Sequence, residues 1–248
     1  MIVVCSGEGV SDLGGCSNQL GVCAGGDFRL GPLSVVIDSV IEECLGYSPK
    51  EICPDIYRYY SESALTHRAE ERKSQRRGFA LAGRKHGLEN GFFYINAWML
   101  GEIAKDLEEQ EKDAAVAVLF RGSDGTNSSP RDLWARKVMS MKEGFIRADF
   151  SRGIPMVPRP KSEAWFLCAV KENPYQHCGA LEDLPGNDNS PNSAKQELSR
   201  SLGAGSTAEE LLVWIEKNGI NRLLLSEQMP SFSSFYERAK TVLESLRG

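Results

Sequence analysis

The chain has 248 residues, 41% hydrophobic and 25% charged, enough to bury one sizeable α/β core, with or without a subdomain. A formal net charge of −5 and a pI near 5.4 exclude a histone-like or polybasic nucleic-acid binder, while leaving room for a local basic patch. No run approaches the ~18 consecutive apolar residues of a membrane span, and the N-terminus opens into a strand-like run instead of a charged leader, so a cytoplasmic protein without membrane contact is expected.

In chain order, Ile2, Val3, Val4 and Cys5 read as a buried strand that runs into the turn Gly7-Glu8-Gly9. A Gly-rich loop follows, roughly 11–32, long enough in a compact domain to be expected over a site. Leu33, Val36, Ile37, Val40, Ile41 and Leu45 recur at helical spacing, and Gly46 stands where that helix must stop. The stretch from Arg58 to Gly87 is dense in charge. Interspersed Glu62, Glu70 and Glu71 suit a solvated helix face, while Arg76, Arg77, Arg84 and Lys85 offer the alternative of a surface that tracks phosphates. Phe93, Ala97, Leu100, Ile103, Ala104 and Leu107 predict a helix over 92–107, ahead of a strand at 114–120 that is apolar on both faces, as a central parallel strand is. Residues 130–143 read as a helix with Pro130 in its first turn.

Beyond a Pro-rich segment at 154–163, the apolar run 164–170 begins a helix, with Lys161, Ser162 and Glu163 at its positive end. The turn-rich segment 179–193 is expected to be an insertion loop. Two helices close the chain, each opened by a capping-box pattern: Thr207-Ala208-Glu209-Glu210 and Ser234-Phe235-Tyr236-Glu237. There is no internal repeat and no low-complexity tract.

Acidic residues end the two apolar strand runs, Glu8 and Asp124, and a third, Glu163, follows the Pro-rich segment. In an open parallel sheet such ends meet in one crevice, and convergent carboxylates hold hard divalent metals. Asp12, four residues after Glu8, can add a ligand. Arg121, Arg159 and Lys161 are placed to bind or stabilise phosphate. Seven cysteines without a Cys-x-x-Cys pair argue against zinc and for buried free thiols. A Walker A loop, a Gly-x-Ser-x-Gly elbow and a dinucleotide fingerprint are all missing, and none of the three histidines stands beside a strand-end nucleophile.

Gly7-Glu8-Gly9-x-x-Asp12, the strand ending in Phe120-Arg121-Gly122-Ser123-Asp124-Gly125, and Pro158-Arg159-Pro160-Lys161-Ser162-Glu163-Ala164-Trp165 together resemble the Toprim-like domains of the overcoming-lysogenization-defect nucleases and their small stand-alone relatives. The resemblance covers the three motif regions and implies a Rossmann-like fold; it does not explain the charged segment 58–90 or the loop 179–193, and the chain is read as one domain over 1–248 with a charged helical insertion at about 47–110 and C-terminal helices at about 194–247. The resemblance implies Mg²⁺ or Mn²⁺ bound by Glu8, Asp12, Asp124 and Glu163, with Lys161 at the phosphate. It also implies hydrolysis of phosphodiester bonds in DNA ahead of RNA and a separate ATPase partner in anti-phage defence; a homo-oligomer is compatible with the chain, which does not itself fix the oligomeric state. One departure stands out: Gly122 occupies the place of the first acid in the family's Asp-x-Asp pair. The alternative expectation is therefore an inactive interaction subunit that binds nucleic acid or a partner through the basic stretch 68–86.

Overall fold

Apolar runs without polar alternation are strands buried on both faces, and here they form the centre of the sheet. The computed structural model describes residues 1–75, 91–123, 132–203 and 205–247. Its elements in order are β1 (Ile2–Gly7), β2 (Gly14–Cys16), β3 (Val22–Ala24), β4 (Phe28–Leu30), α1 (Pro32–Leu45), α2 (Pro49–Ile52), β5 (Tyr57–Tyr60), α3 (Glu62–Gln75), α4 (Gly91–Glu111), β6 (Ala115–Phe120), α5 (Leu133–Arg147), β7 (Gly153–Met156), α6 (Ser162–Val170), α7 (Ala194–Leu202), α8 (Ala208–Asn218), α9 (Arg222–Gln228) and α10 (Pro230–Glu244).

The main sheet has the order β3-β5-β1-β6-β7, with β5, β1, β6 and β7 parallel and β3 joined antiparallel to β5. Alternate residues of each central strand face opposite helical layers. Val3 and Cys5 of β1 and Val116, Val118 and Phe120 of β6 share a core with α1, α6 and α10; Ile2, Val4, Ala115, Ala117 and Leu119 share the other with α3, α4 and α5. The fold is α/β, a mostly parallel five-stranded sheet flanked by helices, consistent with a Rossmann-like arrangement. Among the described residues no helix is long and apolar enough to cross a membrane.

Several local expectations are corrected. The run 11–32 is not a single loop: it holds β2, β3 and β4, three-residue strands too short to show an alternation, and only its first residues border the site described below. Within the charged stretch, Tyr57–Tyr60 is a strand that pairs parallel with β1, so this segment supplies part of the main sheet. Four helices close the chain, not two. The Thr207 capping box is present, but α10 begins at Pro230, four residues before the expected Ser234 cap. A distant residue serves there instead: the buried Glu182 carboxylate accepts the Ser231 N–H at 2.7 Å. Of the cysteines expected as free thiols, Cys16 pairs with Cys23 and Cys168 with Cys178, leaving Cys5, Cys44 and Cys53 free. Disulfides are rare where cellular reductants keep thiols free, so these pairs stand in tension with the cytoplasmic expectation.

Candidate functional site

The chain leaves β1 for β5 on one side and returns to β6 on the other, so its connections part between β1 and β6. Such a switch point opens a crevice beyond the carboxyl ends of the two strands. A cavity of about 240 Å³ lies there, bordered by Glu8, Asp12, Lys161, Ser162, Glu163 and Asp188, with Lys195 beside them.

Glu8 follows β1 directly. A side chain on Gly7 would stand 2.6 Å from Leu13 and 2.9 Å from Phe120, and Gly9 takes φ +73°, so glycine on both sides is what lets the chain turn here. One Glu8 oxygen accepts the Gly122 N–H at 2.5 Å, and the other lies 3.5 Å from the Arg121 guanidinium. Arg121 also pairs with Glu62, whose carboxylate accepts Asn96 Nδ2 at 3.0 Å, and it stacks 5.3 Å from the Phe93 ring. Arg121 thus joins two carboxylates and two aromatic rings, since it also lies 5.8 Å from Phe92.

Asp12 is placed by the start of α1. Its carbonyl accepts the Leu33 N–H at 3.0 Å, and the next carbonyl, of fully buried Leu13, accepts Gly31 N–H at 2.9 Å and Ser34 Oγ at 2.5 Å. Glu163 is placed by α6, an almost wholly apolar and therefore buried helix. Trp165 anchors that helix against α10, edge-on to Phe232 at 5.0 Å, near Phe235 at 6.0 Å, and donating Nε1–H to Ser231 Oγ at 2.7 Å. The Ser162 hydroxyl lies within hydrogen-bond reach of both acids, short to Asp12 and 3.3 Å from Glu163.

Burial pushes both carboxyls up. For Asp12 it outweighs the hydrogen bonds of Ser162 and Ser11 and the charges of Lys161 and Lys195. For Glu163 burial is reinforced by the negative charges of Asp12 and Asp188 and only partly offset by its own N–H and by Lys161.

At the other side of the cavity Lys161 Nζ donates to Asp188 at 2.8 Å, and Lys195 Nζ approaches its second oxygen at 3.4 Å. Burial opposes ionisation of Asp188, yet the Lys161 hydrogen bond and the two lysine charges hold its carboxyl below the ordinary range. The sequence does not mark Asp188 or Lys195: an aspartate among asparagines and serines reads as turn chemistry.

The structure therefore brings together Glu8, Asp12, Lys161 and Glu163. Arg159 does not border the cavity; it pairs with Asp183 at 2.8 Å. Asp124, Arg76, Arg77, Arg84 and Lys85 lie outside the described residues. Of the basic stretch, Arg68 pairs with Asp106 and Arg72 with Glu102, 2.8 Å away, while stacking 4.9 Å over Trp98. The end of β6 is tied to the Pro-rich segment, Ser123 N–H lying 3.0 Å from the Pro160 carbonyl, and buried Lys137 donates to the Ser123 carbonyl.

Among the described residues no group of three or more His, Cys, Asp and Glu side chains is arranged to hold a metal ion. Mg²⁺, however, is commonly held by only one or two carboxylates together with waters and substrate oxygens. Asp12 and Glu163, all-oxygen donors that burial pushes toward neutrality, with the Asp12 charge adding to the effect at Glu163, fit that smaller requirement. A cation would relieve the repulsion between them.

Compared with known proteins, the chain matches no family model, no curated protein and no solved structure.

Proposed function

We propose that the crevice binds Mg²⁺ or Mn²⁺ and that the protein is a metal-dependent nuclease of Toprim type, hydrolysing phosphodiester bonds of DNA ahead of RNA. The observation that carries this reading is the half-buried acid pair Asp12 and Glu163, with the Ser162 hydroxyl between them and two lysines facing them, at the switch point of a mostly parallel sheet. Asp12 and Glu163 would hold the ion, with Asp124, which lies outside the described residues, as the further ligand that the resemblance supplies; Glu8, engaged by Gly122 and Arg121, would border the ion without holding it. A bound divalent ion would lower the pKa of water and polarise a phosphoryl oxygen. The chain's own residues do the rest. Lys161 gives a positive charge to the phosphate, and the Ser162 hydroxyl, short to Asp12 and 3.3 Å from Glu163, holds Asp12 in place beside it. The separate ATPase and the role in phage defence rest on the resemblance alone.

A second reading, a catalytically weak interaction subunit, is favoured by one observation. Glu8 is already engaged by Gly122 N–H and Arg121, and Gly122 stands where the family has an acid. Plasmid nicking in Mg²⁺ or Mn²⁺ separates the two. Glu163→Gln should cut about a hundredfold more slowly than wild type, the scale of losing one transition-state interaction. Cutting that is equal in both proteins, or undetectable in wild type, would reject the nuclease.

A further inference from the structure

Lys161 and Lys195 converge on one carboxylate from separate helices. Lys161 immediately precedes α6, Lys195 is the second residue of α7, and both border the cavity. Two cations spanning one oxyanion is an arrangement that takes a phosphate group as readily as a carboxylate. The carboxylate now between them belongs to Asp188, whose side chain is 42% exposed. Its backbone is fixed separately: the Asp188 carbonyl accepts Ser193 Oγ and Gln196 Nε2, each at 3.3 Å, so the loop is docked on α7 through atoms that the side chain does not use. Ion pairs this open to solvent add little to stability, so their exchange for another anion is inexpensive.

We propose that Lys161 and Lys195 form a phosphate subsite which Asp188 fills when no ligand is bound, and that a phosphate of the substrate enters by displacing the Asp188 carboxylate. The assignment of that phosphate to a nucleic acid rests on the nuclease reading; the subsite itself rests on the three side chains. An internal competitor lowers the apparent affinity for every anion by the fraction of time it occupies the site. Weakly held anions are thereby kept out of the crevice.

The test measures binding in EDTA, so that it does not depend on cleavage. The probes are a 3′-fluorescent single-stranded oligodeoxynucleotide with a 5′-phosphate, the same strand without it, and inorganic phosphate followed by thermal shift. Asp188→Asn should bind about fivefold more tightly than wild type, the gain expected from removing a competitor that fills the site most of the time. Lys195→Gln should weaken binding, and adding it to Asp188→Asn should abolish the gain. Asp149→Asn, the same charge change at an exposed residue paired with Lys105, should leave binding unaltered. A gain confined to the 5′-phosphorylated strand assigns the subsite to a terminal phosphate, and an equal gain with both strands assigns it to the backbone. A gain with inorganic phosphate but neither strand upholds the subsite and rejects nucleic acid as its ligand. No gain in Asp188→Asn with any probe, at an unchanged melting temperature, overturns the proposal, as does a gain that survives Lys195→Gln.

Discussion

Glu8, at the end of β1, and Glu163, in the first turn of α6, border the same cavity but are handled by different physics. On the β1 and β6 side the protein supplies its own compensation, an N–H from Gly122 and a guanidinium from Arg121 that is itself shared with Glu62. On the α6 side Glu163 shares a hydroxyl with Asp12 and has two more carboxylates, Asp12 and Asp188, near enough to raise it, so burial goes largely unanswered. On one wall the carboxylate is compensated by its own neighbours; on the other Lys161 and the Glu163 N–H only partly offset burial. Carboxyls raised by burial in a crevice mark the second wall as the candidate site.

The largest expected effect comes from removing the anchor of the α6 wall. Trp165→Ala takes a fully buried indole out of the cluster with Phe232 and Phe235 and should cost about 3–5 kcal/mol in denaturant unfolding. A loss below about 1 kcal/mol would mean that α6 is held by something other than this packing.

Arg121→Met tests the β1 and β6 wall. It leaves Glu8 and Glu62 facing each other without their shared cation and should destabilise by about 1–3 kcal/mol. An unchanged midpoint would show that Glu8 is not held as described, and the contrast between the walls would lose one side.

A smaller effect reads the α6 wall through pH. Asp12 and Glu163 are raised in the folded state, which therefore binds their protons more tightly than the unfolded chain does. Their contribution to stability is greatest below the ordinary carboxylate range and is lost as pH rises through the raised folded-state values. Glu163→Gln removes its share of that loss. In metal-free buffer the variant should melt above wild type near neutral pH, with the gap closing toward about pH 4, where an ordinary glutamate protonates. A variant that melts lower at every pH would contradict the unanswered burial of Glu163.

The two walls also differ in how well they can be read from the chain. β1, β6 and α6 are legible because continuous apolar runs leave few alternatives, and the acids at their ends follow from that placement. Arg121 looks like a cation available for phosphate because its partner Glu62 is 59 residues away and belongs to another element. β5 carries a period-two signal in Tyr57 and Tyr59, both buried, but the surrounding charge hides it. Asp188 and Lys195 give no signal at all: their meaning comes from the packing of α7 against α6, which no local pattern encodes. The cysteine pairs are equally silent, since pairing depends on Cα positions such as the 5.5 Å between Cys168 and Cys178.

The most direct test of the α6 wall is a calorimetric titration of Mg²⁺ into wild type and into the double variant Asp12→Asn, Glu163→Gln at low ionic strength, without nucleic acid. The imbalance between the walls predicts saturable binding in wild type that disappears in the double variant. Indistinguishable titrations of the two proteins would contradict it.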